Sequence, residues 1–233
     1  LPGDPRSSDI AGTEQAHAVA RAAPQTGPEN GTTHFSVVAK WGNVVSYTNT
    51  IESGYGIGVF AGYKRSDGTQ RNHGFLLNNE LTDFNLTPSK NLIATDEAAY
   101  NDVQAGKRPR SSMTPAMIFS PDGEPLIAYG SPGGATIINS VLNVTLNLLD
   151  HKMTLQDAIN APRLSVTSAT SNVTVEAAYP QAAVEGLRAL GYTVGNAEIG
   201  SVQAVVVDPR NGRQFGAADA RREGTVIGLP RPR

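Results

Sequence analysis

Cysteine is absent from the chain. That removes thiol catalysis, disulfide bonds and cysteine-bound zinc from consideration. It leaves the compartment open, since a protein can occupy an oxidising one without disulfides. An excess of either charge is also missing: 19 Lys and Arg stand against 21 Asp and Glu, a formal net charge of −2, and no run of basic residues stands out. Such a balance gives no support to a nucleic-acid partner or a membrane-surface role. No apolar stretch approaches the roughly 18–20 residues that a membrane helix needs. A starting methionine is lacking too. The chain opens on Leu1, followed by Pro2, Gly3 and Asp4, which reads as the middle of a longer polypeptide, so the lack of a signal peptide says nothing about the full protein.

What is present is globular. The 233 residues fit one large domain or two small ones, and 39% hydrophobic content with 17% charge leaves enough apolar material for a core. The 24 Gly and 15 Pro call for many turns and close backbone approaches. Residues 1–31 are poor in large apolar side chains and read as a flexible linker, with a helical turn or two between Glu14 and Ala23.

Character changes at Thr32. Phe35, Val37 and Val38 lie in one β-rich run, Gly42-Asn43 offers a turn, and Val44, Val45, Tyr47, Thr48 and Thr50 continue in a second, so the text predicts a hairpin. The Gly-rich stretch from Gly54 to Gly74 reads as a polar surface loop, 74–78 as a short strand and 81–101 mostly as loop. Met117 to Phe119 and Pro125 to Tyr129 predict another hairpin around Pro121-Asp122-Gly123. Ile137, Ile138, Val141, Leu142, Leu146 and Leu149 recur at helical spacing and predict a buried helix starting near Gly134. A short helix over 155–160 stops at Pro162. A strand over 173–176, a helix over 180–190 ended by Gly191, and a strand over 202–207 complete the pattern. Strands and helices in this order predict an α+β layered fold without solenoid repeats.

Two places carry chemistry. A linker ends in Gly31 and Thr32 stands first in a strand. Taken alone, Thr32 is merely a β-branched residue where such residues are common. At the second place, Gly133 and Gly134 open the long apolar helix. Two glycines there present unhindered amides at its positive end, where an oxyanion is stabilised; a plain tight turn entering a helix is the simpler account. The four His residues show no metal-ligand spacing.

Read together, several blocks resemble the γ-glutamyltransferase family: Gly31-Thr32-Thr33-His34-Phe35-Ser36-Val37, Gly42-Asn43-Val44-Val45-Ser46, Leu76-Leu77-Asn78-Asn79-Glu80-Leu81-Thr82-Asp83-Phe84, Lys107-Arg108-Pro109-Arg110-Ser111-Ser112-Met113-Thr114-Pro115 and Gly130-Ser131-Pro132-Gly133-Gly134. They stand in family order, and the likeness runs from about Gly31 through Gly200-Ser201-Val202-Gln203 and Gly216-Ala217-Ala218-Asp219. It covers the family's small catalytic subunit, preceded by a tail of the large one.

The resemblance implies an α+β, four-layer αββα N-terminal nucleophile hydrolase fold, of which this chain is the small-subunit half. It divides the chain into a large-subunit tail over 1–31 and a catalytic domain over 32–233. It also implies self-cleavage between Gly31 and Thr32, freeing Thr32 as nucleophile with its own α-amino group as base. A free α-amine, with a reference pKa of about 7.7–8.0, suits that task.

Further roles follow from the resemblance. Thr50 bonds the nucleophile, Gly133 and Gly134 form the oxyanion hole, and Glu52, Glu80 and Asp83 face the α-ammonium of a γ-glutamyl donor. Ser111 and Ser112 face its α-carboxylate. The simpler roles are a cross-strand Thr for Thr50 and a solvated turn for Glu80 and Asp83. A large-subunit Arg completes the family pocket; Arg108 and Arg110 brace the loop or the subunit contact instead, and His34 is structural. The family habit is periplasmic or secreted. Donors are glutathione and related γ-glutamyl amides; acceptors are amino acids, peptides or water. No metal or organic cofactor is implied.

Two stretches depart from the family pattern. Residues 63–73 resemble an insertion, and 87–106 has the length of the lid found in some relatives, with Tyr100 as its candidate aromatic. The rival readings are a cephalosporin (glutaryl) acylase of the same fold, whose donor lacks the α-ammonium, and a non-catalytic relative acting as a binding protein.

Overall fold

Thr32–Val38 (β1) and Val44–Thr50 (β2) pair antiparallel from Thr32↔Thr50 to Val38↔Val44. The turn between them is closed by Ala39 N–H donating to Asn43 O and Gly42 N–H to Ala39 O, with Gly42 at φ 87°. Its residues alternate as strands require, but with inverted polarity. Thr32, His34 and Thr48 are buried, while Phe35, Val37, Val45 and Tyr47 are each 46–49% exposed.

The computed structural model describes residues 31–85, 100–167 and 171–228. The expected linker helix near Glu14 and most of the 87–106 stretch lie outside these. The chain divides into two units, Leu1–Gly31 with Ile51–Glu80, and Thr32–Thr50 with Leu81–Arg233.

In the first unit Phe60–Lys64 (β3) and Gln70–Leu76 (β4) form an antiparallel hairpin. This corrects the surface-loop expectation for 54–74 and lengthens the short strand expected at 74–78. Asp67 accepts from Thr69 N–H and Thr69 Oγ1, Gly68 sits at φ 86°, and Arg65 N–H donates to Thr69 O. An Asp-Gly turn therefore folds a ribbon whose few apolar residues, Phe60 opposite Leu76 and Tyr63 with Phe75 about His73, follow no strand period.

The second unit continues with Ala116–Phe119 (β5) and Pro125–Gly130 (β6), the expected hairpin. A 3₁₀ turn at Gly134–Thr136 leads into Ile137–Leu149 (α1), and Leu155–Asn160 (α2) follows. Leu164–Ser165 (β7), Asn172–Val175 (β8), Gln181–Ala189 (α3), Thr193–Asn196 (β9), Gln203–Val207 (β10) and Gln214–Ala218 (β11) complete it. Sheet order is β11-β10-β6-β5, with β7-β8-β9 a separate sheet whose β8 and β9 run parallel. The main core joins the larger sheet to α1 and α2 through Tyr129, Val141, Val144, Ile159, Val202 and Ala204. Val173, Val175 and Val184 form a smaller one.

Helix α1 buries a narrower stripe than its spacing suggests. Ile137, Val141 and Val144 are buried, whereas Ile138, Leu142, Leu146 and Leu149 are 43–52% exposed. Of the missed elements, β7 is two residues long, and β9 and β11 carry too few branched apolar residues to register as strands.

Candidate active site

Register brings several candidate segments of the second unit to one end of the larger sheet. Ala116 opposes Tyr129, and Gln203 opposes both Gly130 and Ala218. The segment before β5 (Ser111, Ser112), the segment after β6 (Gly133, Gly134), the loop before β10 and Asp219 after β11 therefore meet there. Hairpin β1–β2 lies against the same strands. Ser46 Oγ donates to Tyr129 O at 3.0 Å, and the His34 ring fills the space a Cβ on Gly130 would need. Thr32 is two residues from His34, roughly 7 Å of strand.

The Thr32 hydroxyl lies 2.9 Å from the Thr50 hydroxyl, across the end pair of the ladder. Thr32 is buried, and so is His34, whose Nδ1 bonds Thr48 Oγ1 at 2.7 Å and whose Nε2 bonds Ser36 Oγ at 3.1 Å. Burial pushes the His34 pKa down to about 4, so the ring is neutral, with one nitrogen donating and the other accepting. It braces the hairpin.

In the first unit, Gly31 O accepts from Ile51 N–H at 3.1 Å. A Cβ on Gly31 would collide with the carbonyl oxygens of Glu52 and Ser53. Glu52 sits at φ 72°, an uncommon conformation for a side-chain-bearing residue. Ser53 Oγ donates to its carboxylate, and Asn79 is bonded to Ser53 twice.

Gly133 (φ 138°) and Gly134 (φ 54°) both adopt conformations that favour glycine. Gly133 O accepts from Thr136 N–H and Thr136 Oγ1, and a Cβ on Gly133 would stand 3.0 Å from Gly200 Cα. Buried Ser131 ties the turn to that neighbouring loop: its Oγ donates to Pro132 O and accepts from Ser201 N–H at 2.9 Å.

Charges that sequence reasoning missed hold the loop in turn. Arg163, fully buried, donates to Ile199 O, Ile159 O and the Asp219 carboxylate. Glu176 accepts from Ile199 N–H, and Asp219 from Val202 N–H. Arg221 closes the cluster on both acids. Burial opposes the ionisation of Glu176 and Asp219, but their arginine partners and backbone donors hold both below the usual carboxylate range. Scattered over 59 residues of sequence, from 163 to 221, these four charges show no pattern a reader can gather in advance.

The other candidates are half-buried or exposed rather than buried. Glu80 and Asp83 bound a 3₁₀ turn with no fully buried residue; Glu80 N–H donates to Asn78 Oδ1, and Asp83 O accepts from Asn101 Nδ2. Ser111 Oγ accepts from Met113 N–H, and Ser112 O from Thr114 Oγ1. Asn101, also missed, bonds both the Asp83 turn and Arg110 N–H. Among the described residues no group of His, Asp or Glu is arranged to hold a metal ion, and none of the helices is long and apolar enough to cross a membrane.

Residues 4–229 match the family model described as gamma-glutamyltranspeptidase. The glutathione hydrolase proenzyme of Bacillus subtilis strain 168 is 40% identical over 88% of this chain and 32% of its own length. An acylase ACY 1 proenzyme from Pseudomonas sp. strain SE83 is 33% identical over 85% of this chain and 32% of its own. The chain thus spans about a third of the length of these curated relatives. Among solved structures, the gamma-glutamyltranspeptidase of Pseudomonas nitroreducens complexed with L-DON is 31% identical, with TM-score 0.71, covering 85% of this chain and 100% of that one.

Proposed function

The chain belongs to the γ-glutamyltranspeptidase family, and from that premise we propose that it is the catalytic portion of an enzyme that moves γ-glutamyl groups through an ester on Thr32. Its fold is the small-subunit half of the α+β N-terminal nucleophile hydrolase fold. The observation that carries the proposal is the Thr32 hydroxyl, on a buried residue first in β1 and 2.9 Å from the Thr50 hydroxyl.

Self-cleavage comes first. Thr32 Oγ attacks the Gly31 carbonyl, whose oxygen already accepts from Ile51 N–H, a donor suited to the developing negative charge. Collapse breaks the C–N bond and transfers the acyl group to oxygen. Water then hydrolyses that ester, releasing a Gly31 carboxylate and a Thr32 that bears both hydroxyl and amine. The absence of a side chain on Gly31 leaves the carbonyl open to attack.

In the mature enzyme the Thr32 amine takes the Oγ proton as Oγ attacks the γ-amide of glutathione or a similar donor. The Gly133 and Gly134 amides receive the oxyanion, and the resulting ammonium returns its proton to the departing amine. Water or an amino acid then resolves the ester. Glu52, Glu80 and Asp83 receive the donor's α-ammonium, and Ser111 and Ser112 its α-carboxylate. The proposed steps call on no metal or organic cofactor.

The glutaryl-acylase alternative draws on the 33% identity to the acylase ACY 1 proenzyme. A glutaryl donor lacks the α-ammonium and has less need of Glu80 and Asp83, so their presence favours γ-glutamyl substrates. A non-catalytic binding role leaves the joint retention of Thr32, Thr50, Ser111, Ser112, Gly133 and Gly134 without a reason.

The partner is the large subunit of the same precursor, residues 1–31 being its tail. The bare apolar face of β1–β2 and the exposed stripe of α1 give it surfaces to cover. The family's periplasmic or secreted location belongs to the proposal as well.

The deciding experiment co-expresses this chain with its large-subunit segment, beside Thr32→Ala, and reads intact mass and N-terminal sequence. A new N-terminus Thr-Thr-His-Phe, missing from the variant, is the expected result. A folded wild-type precursor that stays whole sinks the nucleophile assignment.

A further inference from the structure

A γ-glutamyl donor carries its α-ammonium and α-carboxylate on one carbon atom. A pocket that reads both groups must hold its acids and its hydroxyls at a fixed separation. In this chain two such elements of the second unit, Asp83 on one side and Ser111 with Ser112 on the other, come from separate segments. Neither segment is a strand or an α-helix, so no ladder sets their spacing.

One side chain bridges them. Asn101 Nδ2 donates to Asp83 O at 2.7 Å and to Asn85 Oδ1 at 3.3 Å, while Asn101 Oδ1 accepts from Arg110 N–H at 3.0 Å. Its own backbone is fixed too, since Asn85 N–H donates to Asn101 O at 2.9 Å. The next residue repeats the closure: buried Asp102 accepts from Asn85 Nδ2 and, through its main-chain oxygen, from Lys107 Nζ. A primary amide is the side-chain group that offers a donor and an acceptor on one short, rigid plane. Aspartate at this position keeps the acceptor and loses the donor; alanine loses both.

We infer that Asn101 is a positioning residue that sets the separation between Asp83 and the Ser111–Ser112 pair, and thereby the enzyme's affinity for γ-glutamyl donors. The inference rests on the functional reading above. Asn101 acts on parts of the donor that do not react. Those contacts are equal in the ground state and the transition state, so their loss raises KM and spares kcat. Self-cleavage at Gly31–Thr32 uses no donor pocket and is spared as well.

The test uses the protein assembled from both subunits and L-γ-glutamyl-p-nitroanilide as donor. Asn101→Ala is expected to raise KM about tenfold, the scale of one or two lost hydrogen bonds, with kcat within about twofold of wild type. The cut before Thr32 proceeds at its normal rate. Asn101→Asp, nearly isosteric, keeps the bond from Arg110 N–H but sets an oxygen against Asp83 O, and is also expected to raise KM. Unchanged KM in both variants overturns the inference, and so does a fall of kcat and self-cleavage in step with the rise of KM, which marks a general loosening. Turnover that persists in Thr32→Ala instead brings down the underlying reading, with Asn101 left aside.

Discussion

His34 stands on the same strand face as Thr32, in a place where a charge has no room. Its ring bonds two hydroxyls and lies flush against Gly130, and its pKa is pushed down to about 4. The folded state keeps the ring neutral while the unfolded chain takes up a proton below pH 6.5, so stability is whole above 6.5 and drains as pH falls toward about 4. The loss amounts to about 3 kcal/mol, from the 1.4 kcal/mol that each pKa unit represents. Replacing His34 with Gln, which cannot titrate, is expected to flatten the pH dependence of Tm between pH 4 and 6.5, as calorimetry across that range would read. An unchanged slope means that another group drives it. At this scale the sequence was most legible: the Thr32–Thr50 hydroxyl bond was expected from the family likeness and is present. His34 was read as structural, and its bonds agree. Glu80 and Asp83 border a 3₁₀ turn with no fully buried residue.

Among the elements, those whose apolar residues follow a period were legible. Hairpins β1–β2 and β5–β6 and helix α2 stand where spacing and turn residues put them. Hairpin β3–β4 was not, because its Asp-Gly turn joins runs with few apolar residues at strand period. Helix α1 was half legible: spacing identifies a helix but cannot tell which apolar residues meet this chain's own core. The loop before β10 was half legible: Gly200-Ser201-Val202-Gln203 matched the family, but its contact with the Gly133 turn comes from far away in sequence. Gly200 sits at φ 63°, where a Cβ would meet Ser140 Oγ and stand 2.6 Å from Ser131 Oγ. Gly200→Ala is expected to displace Ser131 and with it the turn. The penalty falls on transition-state stabilisation, so kcat drops by about ten- to a hundredfold with KM little changed. Steady-state kinetics beside a melting curve checks this; a variant with wild-type kcat dissociates the loop from the turn's geometry.

Over the whole chain, polarity is arranged for company. A ribbon that buries its hydroxyls and half-bares Phe35, Val37, Val45 and Tyr47 is unstable as a free surface, since each such side chain forgoes roughly half of the about 1.5–3 kcal/mol that full burial gives. The exposed stripe of α1 adds to the same deficit. Expressed without its large-subunit segment, the chain is expected to self-associate and to bind an apolar dye. Co-expression is expected to abolish both, and size-exclusion chromatography with dye fluorescence reads them together. Phe35→Ser with Tyr47→Ser relieves the self-association of the lone chain while weakening assembly; a monodisperse, dye-silent wild-type chain would show that the faces need no cover.

Thr32↔Thr50 is the terminal rung of its ladder, and the division between the two units falls at the Gly31–Thr32 bond. A chain broken there loses no rung: every pair from Thr32↔Thr50 to Val38↔Val44 lies to one side of the break. Scission at this point is perforation along a seam rather than a tear. Under the proposed self-cleavage the new terminus is born already docked, with its hydroxyl beside that of Thr50. A cut at this bond, as proposed above, would arm the protein without refolding.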